Sequence, residues 1–225
     1  MKHIVINPHD LEPREIHKLL LGIIIPRPIG LISTISAKSG PNLAPFSFFQ
    51  AISANPPTLL FCPTRDRNGG IKHTHGNVIE IGEFVANVVT EKMATAMNIS
   101  SGDFPENISE FESAGFTPLK SDKVKPFRVA ESPVNLECRV IKIVEVSEEP
   151  LGGAVIIGEI LRFHINEEVF DPENKMINPE KFDLISRLGG MAYAPIRERF
   201  DMSRPILSTT SESNPDDVKK SSESS

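Results

Sequence analysis

The sequence has no Trp, a single Tyr and only two Cys among its 225 residues. Two thiols, Cys62 and Cys138, cannot build a disulfide framework or a four-thiolate zinc site. Both sit in apolar runs, where a free thiol packs as a small hydrophobe. A surplus of cations is missing too: 24 Lys+Arg face 30 Asp+Glu, a formal net charge of -6. That balance argues against sequence-independent binding to nucleic acid. No apolar stretch approaches the ~20 residues that cross a bilayer. The opening MKHIVINPHDLEPRE carries Asp and Glu and lacks the apolar core of a signal peptide. These absences predict a cytoplasmic protein with no membrane or nucleic-acid partner.

Familiar catalytic signatures are also absent. There is no G-x-G-x-x-G, no G-x-x-x-x-G-K-[ST], no G-x-S-x-G and no H-E-x-x-H, which removes the dinucleotide fold, the P-loop, the esterase elbow and the zincin site from consideration.

What is abundant is Pro, 19 residues spread singly or in pairs between apolar runs, a distribution that marks turns and strand ends. Strand patterns cover Ile29–Ile35, Thr58–Phe61, Phe84–Val89, Val134–Val146 and Ala154–Phe163. Val134, Leu136, Cys138 and Val140 alternate with polar residues, and the phase slips at Val140–Ile141, as at a bulge. Short helices are expected at Thr74–Gly82, at Glu91–Asn98 after Thr90, and from a capping box at Asn107-Ile-Ser-Glu110 to Gly115. Asn178-Pro179 predicts a fourth helix through Phe182, Ile185 and Leu188 to Gly189-Gly190. Strands without a helix between each pair predict a mainly β protein with short helices, a mostly antiparallel barrel or sandwich. The folded unit is expected at residues 1–205. Residues 206–225 form a Ser-rich acidic stretch without apolar periodicity, which is expected to be disordered.

Three segments carry candidate chemistry. Pro26-Arg27-Pro28 leads into a strand bearing Ser33 and Thr34, then Gly40-Pro41-Asn42-Leu43-Ala44-Pro45-Phe46-Ser47-Phe48-Phe49. This reads either as a Pro-marked hairpin with a Phe-rich core or as a strand and turn against which a flat group lies, with hydroxyls and backbone N–H groups beside Ala44–Ser47 to hold it. Arg65 to Thr74 gathers Arg65, Arg67, Lys72, two glycines and a helix start, which is an anion site or a solvated loop. His73 and His75 with Asp66 are a possible metal set if the segment is extended, and two loop histidines if it is helical. His164 reads as an exposed or satisfied histidine.

Taken in order, these segments resemble the flavin reductase-like, FMN-binding split-barrel family. The resemblance rests on Arg27-Pro-Ile and Ser33-Thr34, on Asn42-Leu-Ala-Pro-Phe-Ser-Phe-Phe49, and on Asn55-Pro-Pro57. It rests also on Lys72-x-Thr74-x-x-Asn77, on Gly82-Glu-Phe-Val-x-Asn87 and on Arg187-Leu-Gly-Gly-x-x-Tyr193. Two positions depart from the family pattern: His73 stands where Asp is frequent, and Gln50 where Asn is frequent.

The resemblance implies an antiparallel, Greek-key-like split barrel that forms a homodimer and binds FMN. Asn42, Ala44, Pro45, Phe46, Ser47 and Phe48 would line the ring with main-chain groups, and Arg27 would belong to the same cofactor site. Ser33, Thr34, Arg65, Lys72, Thr74 and Asn77 would lie toward the ribityl chain and phosphate. It further implies hydride transfer from NADH or NADPH to the flavin, with electrons passing to an acceptor protein or oxygenase. Two alternatives stand beside it: a flavoredoxin-like electron carrier, and a metal-binding barrel using His73 and His75.

Overall fold

The computed structural model describes residues 1–105 and 108–205, so the 206–225 stretch and Asn107 lie outside the described residues. A 3-10 turn at Pro8–Asp10 precedes helix α1 (Pro13–Ile23). Pro13 in the first turn and a reciprocal box between Glu12 and Glu15 start this helix. Ile16, Leu19, Leu20 and Ile23 recur at helical spacing, yet none is buried. α1 therefore presents an apolar stripe that the chain does not cover.

Seven strands build one antiparallel sheet: β1 (Gly30–Ser36), β2 (Gly40–Phe46), β3 (Phe49–Ala54), β4 (Pro57–Phe61), β5 (Glu83–Val88), β8 (Val134–Glu145) and β9 (Ala154–Ile165). Between them lie α2 (His73–Ile81), α3 (Ala94–Ile99), α4 (Glu110–Ala114) and the two-residue strands β6 (Pro118–Leu119) and β7 (Arg128–Val129). Beyond β9 come β10 (Phe170–Asp171), β11 (Met176–Ile177), β12 (Ile185–Arg187) and β13 (Tyr193–Pro195). The sheet order is β2-β1-β5-β8-β9-β4-β3. Its two edge strands are consecutive in sequence, joined only by Ser47 and Phe48, so the sheet must curl until its edges meet. Phe49 closes that corner: a Cβ on Gly30 would lie 2.7 Å from its ring.

β1 is buried along nearly its whole length, because both of its faces are covered. Ile32 points into the barrel with Phe46, Phe61, Phe84, Cys138 and Ile156. Leu31 points the other way, into a second core with Leu43, Met93, Met97, Phe111 and Val129 beneath α3 and α4. The β8–β9 register shifts between Glu137 and Cys138 and again between Val140 and Lys142, where the hydrophobic phase slips in the sequence. Gly158 fills a place no side chain fits, since a Cβ there would meet the Phe84 ring at 2.5 Å.

Three helices fall near their expected positions. α2 is capped by Lys72 and not by Thr74, which lies inside its first turn, and Gly82 ends it at φ 71°. The Glu91–Asn98 expectation resolves into a 3-10 turn at Glu91–Met93 and then α3. α4 starts at Glu110 and stops at Gly115.

The fourth expected helix, after Asn178-Pro179, does not form. Residues 185–187 are strand, hairpinned to β13. Their amides have better partners elsewhere: Arg187 N donates to Arg27 O at 2.9 Å and Arg27 N to Arg187 O at 3.0 Å. Asn178 instead makes a local turn, its Oδ1 accepting from Glu180 N at 2.9 Å. Tertiary pairing has overridden a correct local signal.

Candidate functional site

The curled sheet leaves an open cleft of about 760 Å3 beside β2. Asn42, Ala44, Pro45 and Phe46 form one wall, and Arg65, Asp66, Arg67, Lys72, His73 and Thr74 form another. Residues 100–104 and Glu110 line it as well.

The β2 wall has a particular polarity. Backbone groups alternate in direction along a strand. The Leu43 amide turns away from β1 and donates to Glu110 Oε2 at 3.2 Å. Pro41 and Pro45 share that direction and have no N–H to offer. Ala44 and Phe46 face inward, opposite Ile32 and Gly30. The free edge of β2 is therefore a row of carbonyls with its donors deleted or capped, which also protects it from pairing with another strand. Of the backbone donors expected beside Ala44–Ser47, only those at the Ser47–Phe48 corner remain.

The cationic wall is built differently. Asp66 accepts from the amides of Asn68 at 2.7 Å and Gly70 at 2.9 Å. These bonds, the Asn68 amide first, hold its carboxyl below the usual range. A Cβ at Gly70 would lie 2.5 Å from Asp66 Oδ2, so a side chain there would make the carboxylate shift. Arg65 donates Nη1 to Gly69 O at 3.0 Å and places Nη2 3.4 Å from Glu145 Oε2. Its Nε is buried with no partner. A buried guanidinium N–H left unpaired marks a place where an acceptor belongs. Beside it, Lys72 caps α2 without a side-chain bond, and the first intrahelical bond is Gly76 N to Lys72 O at 3.1 Å. The amides of His73, Thr74 and His75 have no intrahelical acceptor.

Behind the cleft, Thr74 Oγ1 accepts from Asn42 Nδ2 at 2.9 Å. Thr34 Oγ1 accepts from Asn42 Nδ2 at 3.2 Å and Asn77 Nδ2 at 3.0 Å. All four residues are buried. The network fixes both walls against each other.

Of the thirteen residues singled out in the sequence, seven therefore line the cleft: Asn42, Ala44, Pro45, Phe46, Arg65, Lys72 and Thr74. Thr34 and Asn77 support it from behind. Ser33 is fully buried and donates its hydroxyl to Phe127 O. Arg27 is 3% exposed, and its guanidinium donates to the carbonyls of Leu21, Ile24 and Leu188 at 2.6, 2.8 and 3.0 Å and to Ser47 Oγ at 3.2 Å. Burial, then the charge of Arg187, lowers its pKa. Arg27 thus ties α1, the Ser47–Phe48 corner and the loop after β12 together. Phe48 packs its ring edge-on against His17, centroids 6.4 Å apart.

Glu110 is a cleft residue the sequence reading uses only as part of a capping box. Its carboxyl is buried, and burial raises its pKa against the opposing pull of its own amide, the Leu43 amide and His73. Its partner lies 67 residues away in sequence, so no local pattern signals the role. Leu151, at φ 61°, is a second such residue.

The alternative metal set is not assembled, since the segment is helical. His73 and His75 lie on the first turn of α2, where i and i+2 diverge, and Asp66 is engaged by backbone amides. His75 is buried with Nε2 2.9 Å from Glu145 Oε1, though not aligned for a hydrogen bond. Among the described residues, convergent ligand atoms occur instead at Asp122, Glu137 and His164. There, Glu137 accepts from the amides of Asp122 at 2.9 Å and Lys123 at 2.5 Å and pairs with His164 at 2.5 Å. Asp122 is held by Arg162 at 2.7 Å. These groups satisfy one another, and His164 is a satisfied histidine. Burial raises the pKa of both thiols, with the Glu137 charge adding to the effect at Cys138, so neither is an activated nucleophile.

An antiparallel split barrel, with a cleft walled by strand carbonyls and by a cationic helix start, defines a flavin-binding class of fold. Residues 22–183 match the family model described as Flavin reductase like domain, and the chain belongs to that family. An uncharacterized protein of Aquifex aeolicus is 40% identical over 184 residues, 82% of this chain and 91% of that one. The crystal structure of nitrilotriacetate monooxygenase component B from Bacillus cereus is 32% identical with a TM-score of 0.85, covering 90% of this chain and all of that one. A 2-nitrobenzoate 2-nitroreductase of Pseudomonas fluorescens is 29% identical with a TM-score of 0.81, covering 91% and 98%. No helix of the described residues is long and apolar enough to cross a membrane.

Proposed function

We propose that the protein is an FMN-dependent oxidoreductase that takes reducing equivalents from NADH or NADPH and delivers them to an acceptor, an oxygenase component or a small oxidant. The observation that carries this reading is the unpaired, buried Arg65 Nε on the wall of a cleft whose other side is a carbonyl-edged strand. The anionic end of FMN fits the first need and a ring N–H fits the second. Arg65, Lys72, Thr74 and the first amides of α2 would hold the phosphate. Asn42, Ala44, Pro45 and Phe46 would lie along the ring, with Ser47 and Phe48 at its end. Ser33, Thr34, Asn77 and Arg27 position those elements. Bound flavin supplies hydride acceptance from a reduced nicotinamide. The chain's task is to orient, to screen water and to leave one face open, which requires no nucleophile–base pair.

The folded unit spans residues 1–205. It works as a homodimer, for which the uncovered stripe on α1 with Leu19, Leu20 and Ile23 exposed is the supporting feature. The cytoplasm, which supplies reduced nicotinamide, is its compartment. The names of the two solved neighbours, a monooxygenase component and a nitroreductase, support an oxidant or oxygenase as acceptor.

The test is anaerobic mixing of the purified, FMN-loaded protein with NADH and with NADPH, following the flavin absorbance. Bleaching followed by rapid turnover with added free flavin or nitroaromatic supports the reading. Bound FMN that neither nucleotide reduces, and that exchanges electrons only with a protein partner, replaces it with the flavoredoxin-like carrier. A colourless protein that does not take up FMN refutes both.

A further inference from the structure

A second groove of about 440 Å3 adjoins the cleft, lined by Glu12, Pro13, Arg14, His17, Arg67, Pro150 and Leu151. Arg67 and Leu151 also line the main cleft, so the two spaces share a wall. Its chemistry differs from the cleft's. Pro13, Pro150 and Leu151 offer flat apolar surface, while two guanidinium groups and an imidazole stand around it against one carboxylate. That carboxylate, on Glu12, belongs to the capping box of α1. The ion pairs among the described residues involve Arg65, Arg139, Arg162, Arg197 and Arg199 but neither Arg14 nor Arg67. In a chain of net charge -6, two unpaired arginines facing one apolar groove are a local excess that packing does not require.

The groove is also built, and is not merely a gap between loops. Leu151 is held in the left-handed region at φ 61°, which is costly for a branched residue. Its amide reaches Asp66 O at 3.3 Å, and Arg65 N donates to Gly152 O at 2.7 Å. Those two bonds lock the 150–152 turn onto the base of the Arg65–Gly70 loop and hold Leu151 on the shared wall. On the α1 side, His17 rests against Phe48 at the flavin corner. One path therefore runs from the Ser47–Phe48 corner past His17 to Arg14 and Arg67.

We propose that this groove receives the adenosine end of the nicotinamide substrate, with Arg14 and Arg67 gripping the 2′-phosphate, so that the protein uses NADPH in preference to NADH. The inference rests on the oxidoreductase reading for its ligand, but not for its measurement. Adenine lies on Pro13, Pro150 and Leu151, and the phosphate meets the two guanidinium groups as paired hydrogen-bond donors. FMN's own phosphate keeps Arg65 and Lys72, so two separate cation pairs serve two separate phosphates.

The test uses the full-length, FMN-loaded protein and two redox-inert probes, 2′,5′-ADP and 5′-ADP, titrated by calorimetry. The expected result is that 2′,5′-ADP binds at least tenfold tighter than 5′-ADP. Arg14→Glu should reduce that ratio to twofold or less without changing FMN content, and the NADPH-to-NADH ratio of kcat/KM should fall about tenfold. Equal binding of the two probes by the unmodified protein, or no binding of either, overturns the proposal. So does a ratio that survives in a folded Arg14→Glu variant. Failure of both nucleotides to bleach the flavin, with the probe preference intact, would strike the oxidoreductase reading and leave the 2′-phosphate site standing.

Discussion

Removing the Thr74 hydroxyl while keeping the shape of the side chain is the sharpest perturbation of the cleft. Thr74 is 2% exposed, and its oxygen accepts from Asn42 Nδ2 at 2.9 Å. An acceptor so occupied still has its proton to give, and it sits on the cleft wall in the first turn of α2, where the cap makes no side-chain bond. On the proposed placement of FMN, Thr74→Val would delete one donor to a charged phosphate, worth roughly 1.5–3 kcal/mol. That corresponds to a Kd for FMN weakened about 10- to 150-fold. The structural cost is smaller, because Asn42 Nδ2 keeps Thr34 Oγ1 at 3.2 Å. About 1 kcal/mol of stability is at stake, or about 2–4 °C in Tm for a domain of this size. FMN fluorescence titration of the apoprotein, beside a thermal melt of the same sample, separates the two effects. Thr74→Ser should restore affinity. An FMN Kd within twofold of the unmodified protein, together with a lowered Tm, would show that the hydroxyl only braces Asn42 and that the phosphate lies elsewhere.

Other substitutions probe the frame. Gly158→Ala drives a methyl group against the Phe84 ring at 2.5 Å, and overpacking of that kind costs about 1–3 kcal/mol, readable as a shifted denaturation midpoint with FMN affinity kept once folded. Arg27→Met removes donors to three carbonyls and to Ser47, with an expected loss of about 2–4 kcal/mol and a faster-digested α1 in limited proteolysis; unchanged stability would make the tie incidental. Ending the chain at Pro205 should leave Tm and flavin content unchanged, and loss of either would place part of the folded unit beyond residue 205.

Much of the site was legible because its parts are local. Asn42–Phe46 and Arg65–Thr74 announce themselves through Pro spacing and clustered cations, and both reach the cleft. Five of the seven strands of the barrel are legible for the same reason, each carrying its own apolar pattern, and the slip at Val140 survives as a register shift; β3 is almost wholly exposed and carries no such pattern. The unread parts are those whose meaning depends on distant partners. Residues 185–187 carry a helical pattern but are claimed by the backbone of Arg27. Arg27 itself reads as a cation near the cofactor, whereas its donors are spent on carbonyls from α1 and from the loop after β12. α1 is hard to read in sequence because its apolar stripe is broken up by Arg14, Glu15 and Lys18 in linear order and becomes continuous only on the helix surface.

Two buried glutamates carry opposite pH signatures, and together they test the electrostatic picture. At Glu137, burial raises the pKa, but the amides of Asp122 and Lys123 and the ring of His164 outweigh it, leaving a net lowering. A carboxyl lowered in the folded state stabilises above its unfolded pKa, about 4.3, and that contribution is lost as pH falls through the folded value. At Glu110, burial dominates and the net shift is upward. Its contribution is present below the unfolded pKa and is lost as pH rises through the folded value. Glu137→Gln should therefore be destabilising at pH 7, by about 2–4 kcal/mol, with the gap to the unmodified protein narrowing below about pH 4.3. Glu110→Gln keeps an acceptor for the Leu43 amide and removes a buried charge, so its stability relative to the unmodified protein should improve from acid toward neutral pH. Urea midpoints at a series of pH values read both slopes. If the two variants diverge from the unmodified protein in the same direction as pH rises, burial is not the dominant influence at Glu110. The β2 edge would then be held by some balance other than a desolvated carboxyl capping its one outward amide.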